Sequence, residues 1–193
     1  MYAGHFDFAV PLISRIPGLW SAEECDAVLA SAAGGEWLAA TINSAAGRVV
    51  DERVRNNDLA LVRDPALADQ LLERARPHLP ATMTAEWNGP RAKVSLVGLF
   101  SPLRIYRYHP GQRFGLHQDQ SYRRDDGARS LLTFMVYLDE GCEGGETDFP
   151  EQGERIVPVR GDGLWFQHMV LHAGCPVTRG VKHVLRTDVL YAA

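Results

Sequence analysis

Two side chains of metal-binding type, His117 and Asp119, lie two positions apart in the segment Phe114-Gly-Leu-His-Gln-Asp. On a β-strand, side chains two positions apart point to the same face, so an imidazole and an ionised carboxylate can reach one cation. A histidine beside an acid is common on protein surfaces. The pair alone is therefore weak evidence for a metal site.

A third ligand is available from His172, which follows Asp119 by 53 positions. Two histidines and one carboxylate on one face of a metal leave three coordination positions open. That arrangement suits Fe(II), which must bind a co-substrate and O₂ together. We therefore predict that His117, Asp119 and His172 hold an iron ion.

A lysine, Lys182, follows His172 by ten residues. A strand, a turn and a return strand would bring this lysine back towards the predicted metal site. A sheltered ammonium can form a strong charge-assisted contact with the distal carboxylate of a dicarboxylic co-substrate. The spacing therefore favours a metal site that works with such a co-substrate.

The first part of the chain is predicted to be helical. Ser21 and Glu24 have the spacing of a capping box before a helix over 22–33, which Gly34 and Gly35 end. A second helix is expected after Asp64 as N-cap, with Pro65 in its first turn. Its apolar stripe comprises Leu67, Leu71, Leu72 and Ala75.

From about Lys93 the pattern changes to short apolar or alternating runs separated by turn sequences, which is typical of β-strands. The predicted strands are Leu103–Tyr108, Leu131–Leu138, Arg155–Val159, Leu164–Met169 and His183–Tyr191. Many short strands indicate a sandwich or barrel. With helices ahead of the strands, we predict the α+β class, in which helices brace one face of a β-sandwich. We predict that residues 1–193 form one domain, with helical support to about 92 and the β core over about 93–193.

The chain resembles the prolyl 4-hydroxylase-like branch of the Fe(II)/2-oxoglutarate-dependent dioxygenases, over roughly 103–191 and more weakly around 21–25. Several motifs occur in the order expected for that family, which is more specific than any one of them. They are Tyr108 with Pro110-Gly111, His117-Gln-Asp119, Gly144-Gly-Glu-Thr147, His172 and Gly180-Val-Lys182.

The resemblance implies a double-stranded β-helix (jelly roll) as the core. It implies that the predicted iron ligands match those of the family and that Lys182 binds the C5 carboxylate of 2-oxoglutarate. Thr147 would assist Lys182, and Tyr108 would line the same pocket. Thr147 is equally well explained as a strand former and Tyr108 as a core aromatic residue.

The implied reaction is hydroxylation of an unactivated C–H bond with Fe(II), 2-oxoglutarate and O₂, with release of succinate and CO₂ and with ascorbate as an auxiliary reductant. Related halogenases lack the carboxylate ligand, so Asp119 favours hydroxylation over halogenation. Desaturation and ring closure stay open. The expected substrate is a proline, in a peptide or free, or another amino acid or small metabolite.

Two other function classes compete with this interpretation. A metal-binding jelly-roll module without oxygenase activity, serving as a sensor or structural domain, would need no dicarboxylate anchor, so Lys182 and Thr147 argue against it. A zinc hydrolase usually takes a different ligand set and needs a general base, which we cannot name in this sequence.

The composition is that of a folded protein, with 46% hydrophobic and 23% charged residues. A net charge of −4 gives no basic footprint for nucleic acid. No apolar run approaches membrane-spanning length, and the N-terminus lacks signal-peptide features. The three cysteines include no CxxC pair, so we expect neither a disulfide framework nor a zinc ribbon. We predict a cytoplasmic enzyme without a membrane partner, and the sequence sets no oligomeric state.

Other histidines could be mistaken for metal ligands. His168 and His172 have HxxxH spacing, but the surrounding sequence predicts strand and turn, so we expect His168 to be packed or at the surface. His183 should point to the face opposite Lys182.

The sequence leaves the roles of three further features undecided. Arg186 shares the face of Lys182 and would serve as a second anion contact, a substrate anchor or one side of an ordinary salt bridge. The segment 121–129 fits a solvated loop, although its position also suits a lid over the substrate. The polar segment 52–57 is predicted to be a loop or an edge strand, with no assigned role.

Overall fold

The computed structural model of the chain describes residues 5–44, 47–86 and 90–193. Its helices are α1 (Ala22–Ala33), α2 (Pro65–Ala75) and a 3-10 helix at Arg76–His78. The first strands are β1 (Ile13–Ile16), β2 (Leu38–Ala39), β3 (Ile42–Ser44), β4 (Gly47–Val49), β5 (Asp58–Val62), β6 (Thr82–Ala85), β7 (Ala92–Leu99), β8 (Leu103–Tyr108) and β9 (Phe114–His117). The remaining strands are β10 (Arg129–Tyr137), β11 (Glu143–Gly144), β12 (Thr147–Phe149), β13 (Glu154–Ile156), β14 (Gly163–Gln167), β15 (His172–Gly174), β16 (Val177–Arg179) and β17 (Lys182–Ala192).

Two antiparallel sheets make up the core. The larger sheet has the strand order β1-β14-β10-β17-β8-β5-β2, with β7 paired to the far end of β17 and β6 paired to β7. The smaller sheet has the order β13-β12-β15-β9. Phe149 of the smaller sheet packs on Phe166 of the larger one, with ring centroids 5.2 Å apart. The arrangement is that of the expected double-stranded β-helix.

Alternation along the strands of the larger sheet separates a packed face from a polar face. In β8, Leu103 and Ile105 join the main hydrophobic core, whereas Arg104, Tyr106 and Tyr108 line a cavity between the two sheets. The same alternation continues in β17 and β10, where the cavity-lining residues are Lys182, Val184, Arg186, Asp188, Thr133 and Met135. A single strand thus contributes side chains to the core from one face and to the cavity from the other.

The two predicted helices are present and pack on the core side of the larger sheet. The Ser21 hydroxyl accepts a hydrogen bond from the Glu24 amide at 3.3 Å, and the Glu24 carboxylate accepts one from the Ser21 amide at 2.8 Å. Asp64 caps α2 by accepting from the Leu67 amide at 3.1 Å. Leu71 of α2 is fully buried in the main core. The helices therefore brace the sheet from the side away from the cavity.

The N-terminal stretch that we expected to be helical support also contains strands β1 to β6. Of these, β1 and β5 are built into the larger sheet by pairing with β14 and β8. Such short strands form because partners far away in the sequence complete their hydrogen bonds, which local patterns do not show. Within the described residues, no helix is long and apolar enough to cross a membrane.

The predicted β-strands are recovered with small shifts in their bounds. The prediction Leu103–Tyr108 agrees with β8 at both ends. The strand predicted over 155–159 corresponds to β13, which is shorter and begins one residue earlier. It ends at Ile156, and the exposed Val157 follows it. The prediction over 164–169 runs too far, since β14 ends at Gln167 and the Val170 amide closes a turn on the Gln167 carbonyl.

Candidate active site

The structure brings His117, Asp119 and His172 together at one end of the cavity. His117 ends β9 and pairs with His172 of β15 across the smaller sheet. The Nε2 atoms of both histidines lie 3.7 Å from oxygens of Asp119. Ligand atoms from all three residues lie within 4.8 Å of one another. One small cation can therefore reach all three side chains.

Asp119 does not lie on the strand that carries His117. We expected both side chains on one strand, but β9 ends at His117. Asp119 instead sits in the following segment, where its amide donates to the carbonyl of His168 at 3.0 Å. This backbone contact with a different part of the chain holds the backbone of Asp119 beside the two histidines.

Backbone carbonyls orient both imidazole rings. Nδ1 of His117 lies 2.8 Å from the Gly115 carbonyl, and Nδ1 of His172 lies 2.9 Å from the Val170 carbonyl. A carbonyl can only accept, so each Nδ1 donates and each Nε2 keeps its lone pair towards the cluster. Burial, aided by the neighbouring His172, lowers the pKa of His117 to about 4. Both rings are therefore suited to bind a metal as neutral ligands.

Asp119 is held as an anion by its neighbours. Burial acts to raise the pKa of Asp119, but Arg186 and the nearby histidines outweigh it and hold the pKa well below its usual value. Nη2 of Arg186 lies 3.0 Å from Oδ2 of Asp119, and the Thr133 hydroxyl donates to the same oxygen. Two neutral imidazoles and one ionised carboxylate form a donor set that fits Fe(II).

Arg186 forms ion pairs, which was one of the three roles left open for it. The side chain is buried and its Nη2 lies 3.0 Å from Asp188 as well as from Asp119. Asp188 is also paired with Arg104 of β8. The sequence contained a signal for this network, because Lys182, Arg186 and Asp188 stand at even spacing and so share one face of β17.

The predicted co-substrate residues line the same cavity, which has a volume of about 440 Å³. Tyr108, Thr147 and Lys182 come from β8, β12 and β17, and all three are buried. Nζ of Lys182 donates to the Gly145 carbonyl. Among the described residues, Lys182 forms no ion pair with a carboxylate. Burial lowers the pKa of Lys182 to about 8.

Gly144 and Gly145 shape the wall beside Lys182. Both have positive φ, at 73° and 71°. A Cβ at Gly144 would lie 2.3 Å from the Pro176 carbonyl oxygen, and a Cβ at Gly145 would lie 3.1 Å from Cδ of Lys182. The two glycines thus allow the β11–β16 ribbon to close against the lysine.

The other histidines named above stay outside the cluster. His168 is buried, with Nε2 2.8 Å from the Ser130 hydroxyl and Nδ1 3.1 Å from the Thr133 hydroxyl. Its ring therefore supports Thr133, which donates to Asp119. His183 points away from Lys182 and pairs with Asp139.

Two segments with open roles border the cavity. From the segment 121–129, Ser121 and Tyr122 line its wall, and Tyr122 packs edge-on against Phe100 at 4.3 Å. From the segment 52–57, Arg55 enters the cavity wall through an isolated β-bridge with Phe114. No sequence signal singled out Arg55, because the bridge that places it joins residues far apart in the chain.

Comparisons with known proteins agree on one family. Residues 103–187 match the model of the 2OG-Fe(II) oxygenase superfamily. A probable prolyl 4-hydroxylase 9 of Arabidopsis thaliana is 33% identical over 42% of this chain and 37% of its own length. A putative prolyl 4-hydroxylase of Acanthamoeba polyphaga mimivirus is 31% identical over 42% of this chain and 41% of its own length. The chain thus spans well under two thirds of these relatives.

Solved structures share the fold along nearly the whole chain. A Pseudomonas putida prolyl-4-hydroxylase matches with a TM-score of 0.66 and 23% identity over 95% of both chains. The viral collagen prolyl hydroxylase of Paramecium Bursaria Chlorella virus-1, in its 2OG complex, matches with a TM-score of 0.65 and 24% identity over 96% of this chain and 98% of that chain. Residues 103–187 thus match the 2OG-Fe(II) oxygenase superfamily, and the solved structures show that nearly the whole chain has the fold of prolyl hydroxylases.

Proposed function

We propose that this chain is a dioxygenase that uses Fe(II), 2-oxoglutarate and O₂ to hydroxylate an unactivated C–H bond, releasing succinate and CO₂. One observation carries the proposal. A buried lysine without a carboxylate partner among the described residues shares its cavity with a His-Asp-His cluster. A metal site alone has no use for such a lysine, whereas a dicarboxylate co-substrate does.

His117, Asp119 and His172 would hold the iron. Bound there, Fe(II) supplies the activation of O₂ that C–H oxidation needs. The protein contributes fixed geometry, because the Gly115 and Val170 carbonyls hold the two rings by their Nδ1 atoms. Arg186 and Thr133 orient the carboxylate of Asp119 and keep it ionised.

Lys182, Thr147 and Tyr108 would bind 2-oxoglutarate. The Lys182 ammonium would pair with the C5 carboxylate, and the burial of that ammonium strengthens the pairing by excluding water. The Tyr137 hydroxyl lies 2.8 Å from the Thr147 hydroxyl and fixes its direction. Tyr108 lies opposite Lys182 in the β8–β17 register, which places its ring at the same end of the cavity.

The proposed substrate is a proline, in a peptide or free, or another amino acid or small metabolite. The curated relatives named above are prolyl 4-hydroxylases, and one structural neighbour is a prolyl hydroxylase from Trichoplax adhaerens in complex with a peptide fragment. The cavity volume of about 440 Å³ falls in the range of small-molecule sites. Because Asp119 fills the third protein position, we favour hydroxylation over halogenation.

The competing function is a metal-binding jelly-roll module without oxygenase activity. It accounts for the three ligands but leaves the burial of Lys182 unexplained, since desolvating an ammonium is costly unless a partner is gained. A zinc hydrolase is also disfavoured, because Asp119 faces the cluster with Arg186 and Thr133 attached and is not free to act as a general base.

An assay of succinate formation tests the proposal. Purified protein is incubated with Fe(II), 2-oxoglutarate, ascorbate and O₂, and succinate and O₂ uptake are measured together. We expect slow succinate formation even without an added substrate, and its loss in His172→Ala. Succinate at the level of a protein-free control would overturn the proposal.

A further inference from the structure

Arg55 is a buried cation at the cavity wall. It follows the turn after β4, and its isolated bridge with Phe114 ties it to the strand that ends in the metal-binding His117. The residue is 6% exposed. Its Nε donates to Oδ1 of Asn57 at 2.7 Å, and the residue lines the cavity.

Aromatic rings hold the guanidinium in place. Cζ of Arg55 lies 4.2 Å from the centroid of Tyr106 and 4.3 Å from that of Phe114. The ring of Phe114 in turn stacks on His117, with centroids 3.6 Å apart. Only the ring of Phe114 therefore separates Arg55 from the proposed metal ligand His117. Cation–π contacts fix the position of the guanidinium.

Among the residues that the structure describes, no carboxylate balances this charge. Within residues 5–44, 47–86 and 90–193, Arg55 forms no ion pair with a carboxylate, and its buried Nη2 has no hydrogen-bond partner. Arg104 and Arg186, which line the same cavity, are both paired with Asp188. A buried guanidinium without a carboxylate partner is costly, so an anion that binds to the part of Arg55 lining the cavity is favoured.

The surroundings of Tyr106 show the same excess of positive charge. Burial acts to raise the pKa of Tyr106, yet Arg55, with contributions from Arg104 and Arg186, lowers it to about 8. This part of the cavity therefore stabilises negative charge.

2-Oxoglutarate is not the expected partner of Arg55. Arg55 borders the proposed 2-oxoglutarate pocket, because it interacts electrostatically with the hydroxyl of Tyr108 as well as with that of Tyr106. Tyr108 faces Lys182 in the β8–β17 register. The distal carboxylate of 2-oxoglutarate has Lys182 as its partner, and the other end of the molecule is directed to the metal. Arg55 thus remains available to the substrate.

We propose that Arg55 binds a carboxylate of the substrate, so that the compound oxidised is a small carboxylic acid such as a free amino acid. This inference rests on the proposed function for the position of 2-oxoglutarate and narrows its substrate class. An internal proline of a peptide, whose own carboxyl group is an amide, would leave Arg55 without its anion.

A binding measurement tests this independently of turnover. Protein loaded with Mn(II) and 2-oxoglutarate is titrated with L-proline, the other common amino acids and short monocarboxylic acids, each beside its primary amide. We expect at least one acid to bind roughly 30-fold or more tightly than its amide, as for a buried charge pair. The Arg55→Gln variant should lose this preference, and Arg55→Lys should keep part of it.

The matched control is Arg53→Gln, two positions earlier in the same loop. Arg53 is exposed and pairs with Asp51. This control and Arg55→Gln should both bind 2-oxoglutarate within about twofold of the parent, as for substitutions that leave a site intact.

Three results would overturn the inference. They are a panel in which no acid binds in preference to its amide, an Arg55→Gln variant with unchanged preference, and an Arg55→Gln variant whose main loss is in 2-oxoglutarate affinity. If Arg55→Gln does not fold, the affinities of the parent and of Arg55→Lys for each acid and its amide still test the inference. Failure of the succinate assay with intact acid binding would refute the oxygenase proposal and leave the carboxylate site standing.

Discussion

Neighbouring groups, and not residue type alone, set the charge of the site side chains. Burial lowers the pKa of His117 and of His172, whereas Arg186 and the neighbouring histidines outweigh burial and hold the pKa of Asp119 well below its usual value. A cation that binds there meets one negative charge already in place. The residue types and their spacing were readable from the sequence, but these protonation states depend on neighbours from distant segments.

Replacement of Asp119 by Asn tests the charge of the metal site. The variant keeps the shape of the side chain and loses its anionic oxygen, so we expect the affinity for Mn(II), as a stand-in for Fe(II), to fall by roughly 100-fold or more. The matched control is Asp148→Asn, since Asp148 pairs with Arg155 at the protein surface. Competition with a fluorescent chelator measures both. Equal affinity of the two variants for Mn(II) would show that Asp119 is not a metal ligand.

The pKa of Lys182 gives a pH dependence. Burial lowers this pKa to about 8, so the ammonium is lost as the pH rises through that value. Because only the charged form pairs with a carboxylate, we expect the KM for 2-oxoglutarate to be constant well below pH 8 and to rise above it.

Two variants of Lys182 distinguish the effect of the side chain's charge on the KM for 2-oxoglutarate from the effect of its shape. Lys182→Ala should raise the KM at every pH by about tenfold or more, as loss of a buried charge contact does. In Lys182→Arg the cation persists at alkaline pH, so the rise above pH 8 should disappear. A rise of the same size in Lys182→Arg would assign the pH dependence to another group.

Strand β17 shows what could be predicted at the scale of an element. Its apolar alternation indicated a strand, and the position of Lys182 indicated that it returns to the metal site; both features are present. The sequence did not show that Arg186 reaches Asp119 or that Arg55 joins Phe114. Those contacts depend on pairing between strands far apart in the chain, which no local pattern records. The same limit explains why Asp119 was placed on the strand of His117.

Removal of Arg186, a buried cation of β17, should destabilise the fold. Arg186→Met would leave Asp119 and Asp188 without a shared partner, and breaking a buried ion pair in this way costs about 3–5 kcal/mol. Mn(II) should restore part of the loss, because a bound cation neutralises Asp119. The control is Arg179→Met, whose exposed pair with Glu143 is worth less than about 1 kcal/mol. Chemical denaturation measures both, and equal losses would contradict the proposed role of the network.

In the molecule as a whole, the residues that stabilise the fold and the residues of the proposed active site lie on opposite faces of the larger sheet. The helices pack on one face of the larger sheet, and the cavity lies on its other face, against the smaller sheet. The helices and their caps were predictable because capping boxes and apolar stripes are local signals. Strands β1 and β5 were not predictable, since they depend on β14 and β8 for their pairing.

A substitution in α2 tests this separation. Leu71 is fully buried, so Leu71→Ala should lower the free energy of unfolding by about 2–5 kcal/mol. Below its melting temperature the variant should keep the KM for 2-oxoglutarate of the parent. Leu61→Ala is the control, because Leu61 is exposed on β5 and its loss should cost within about 0.5 kcal/mol. A changed KM in folded Leu71→Ala would show that the helical layer acts on the cavity.

The central claim is that one cavity binds iron and 2-oxoglutarate together. Its most direct test is anaerobic addition of Fe(II) and 2-oxoglutarate, with the visible absorption recorded before any O₂ is admitted. We expect a weak visible band that needs both Fe(II) and 2-oxoglutarate, that is lost in Asp119→Ala and that requires more 2-oxoglutarate in Lys182→Ala. No band in the parent protein, or a band unaffected by either substitution, would contradict the claim.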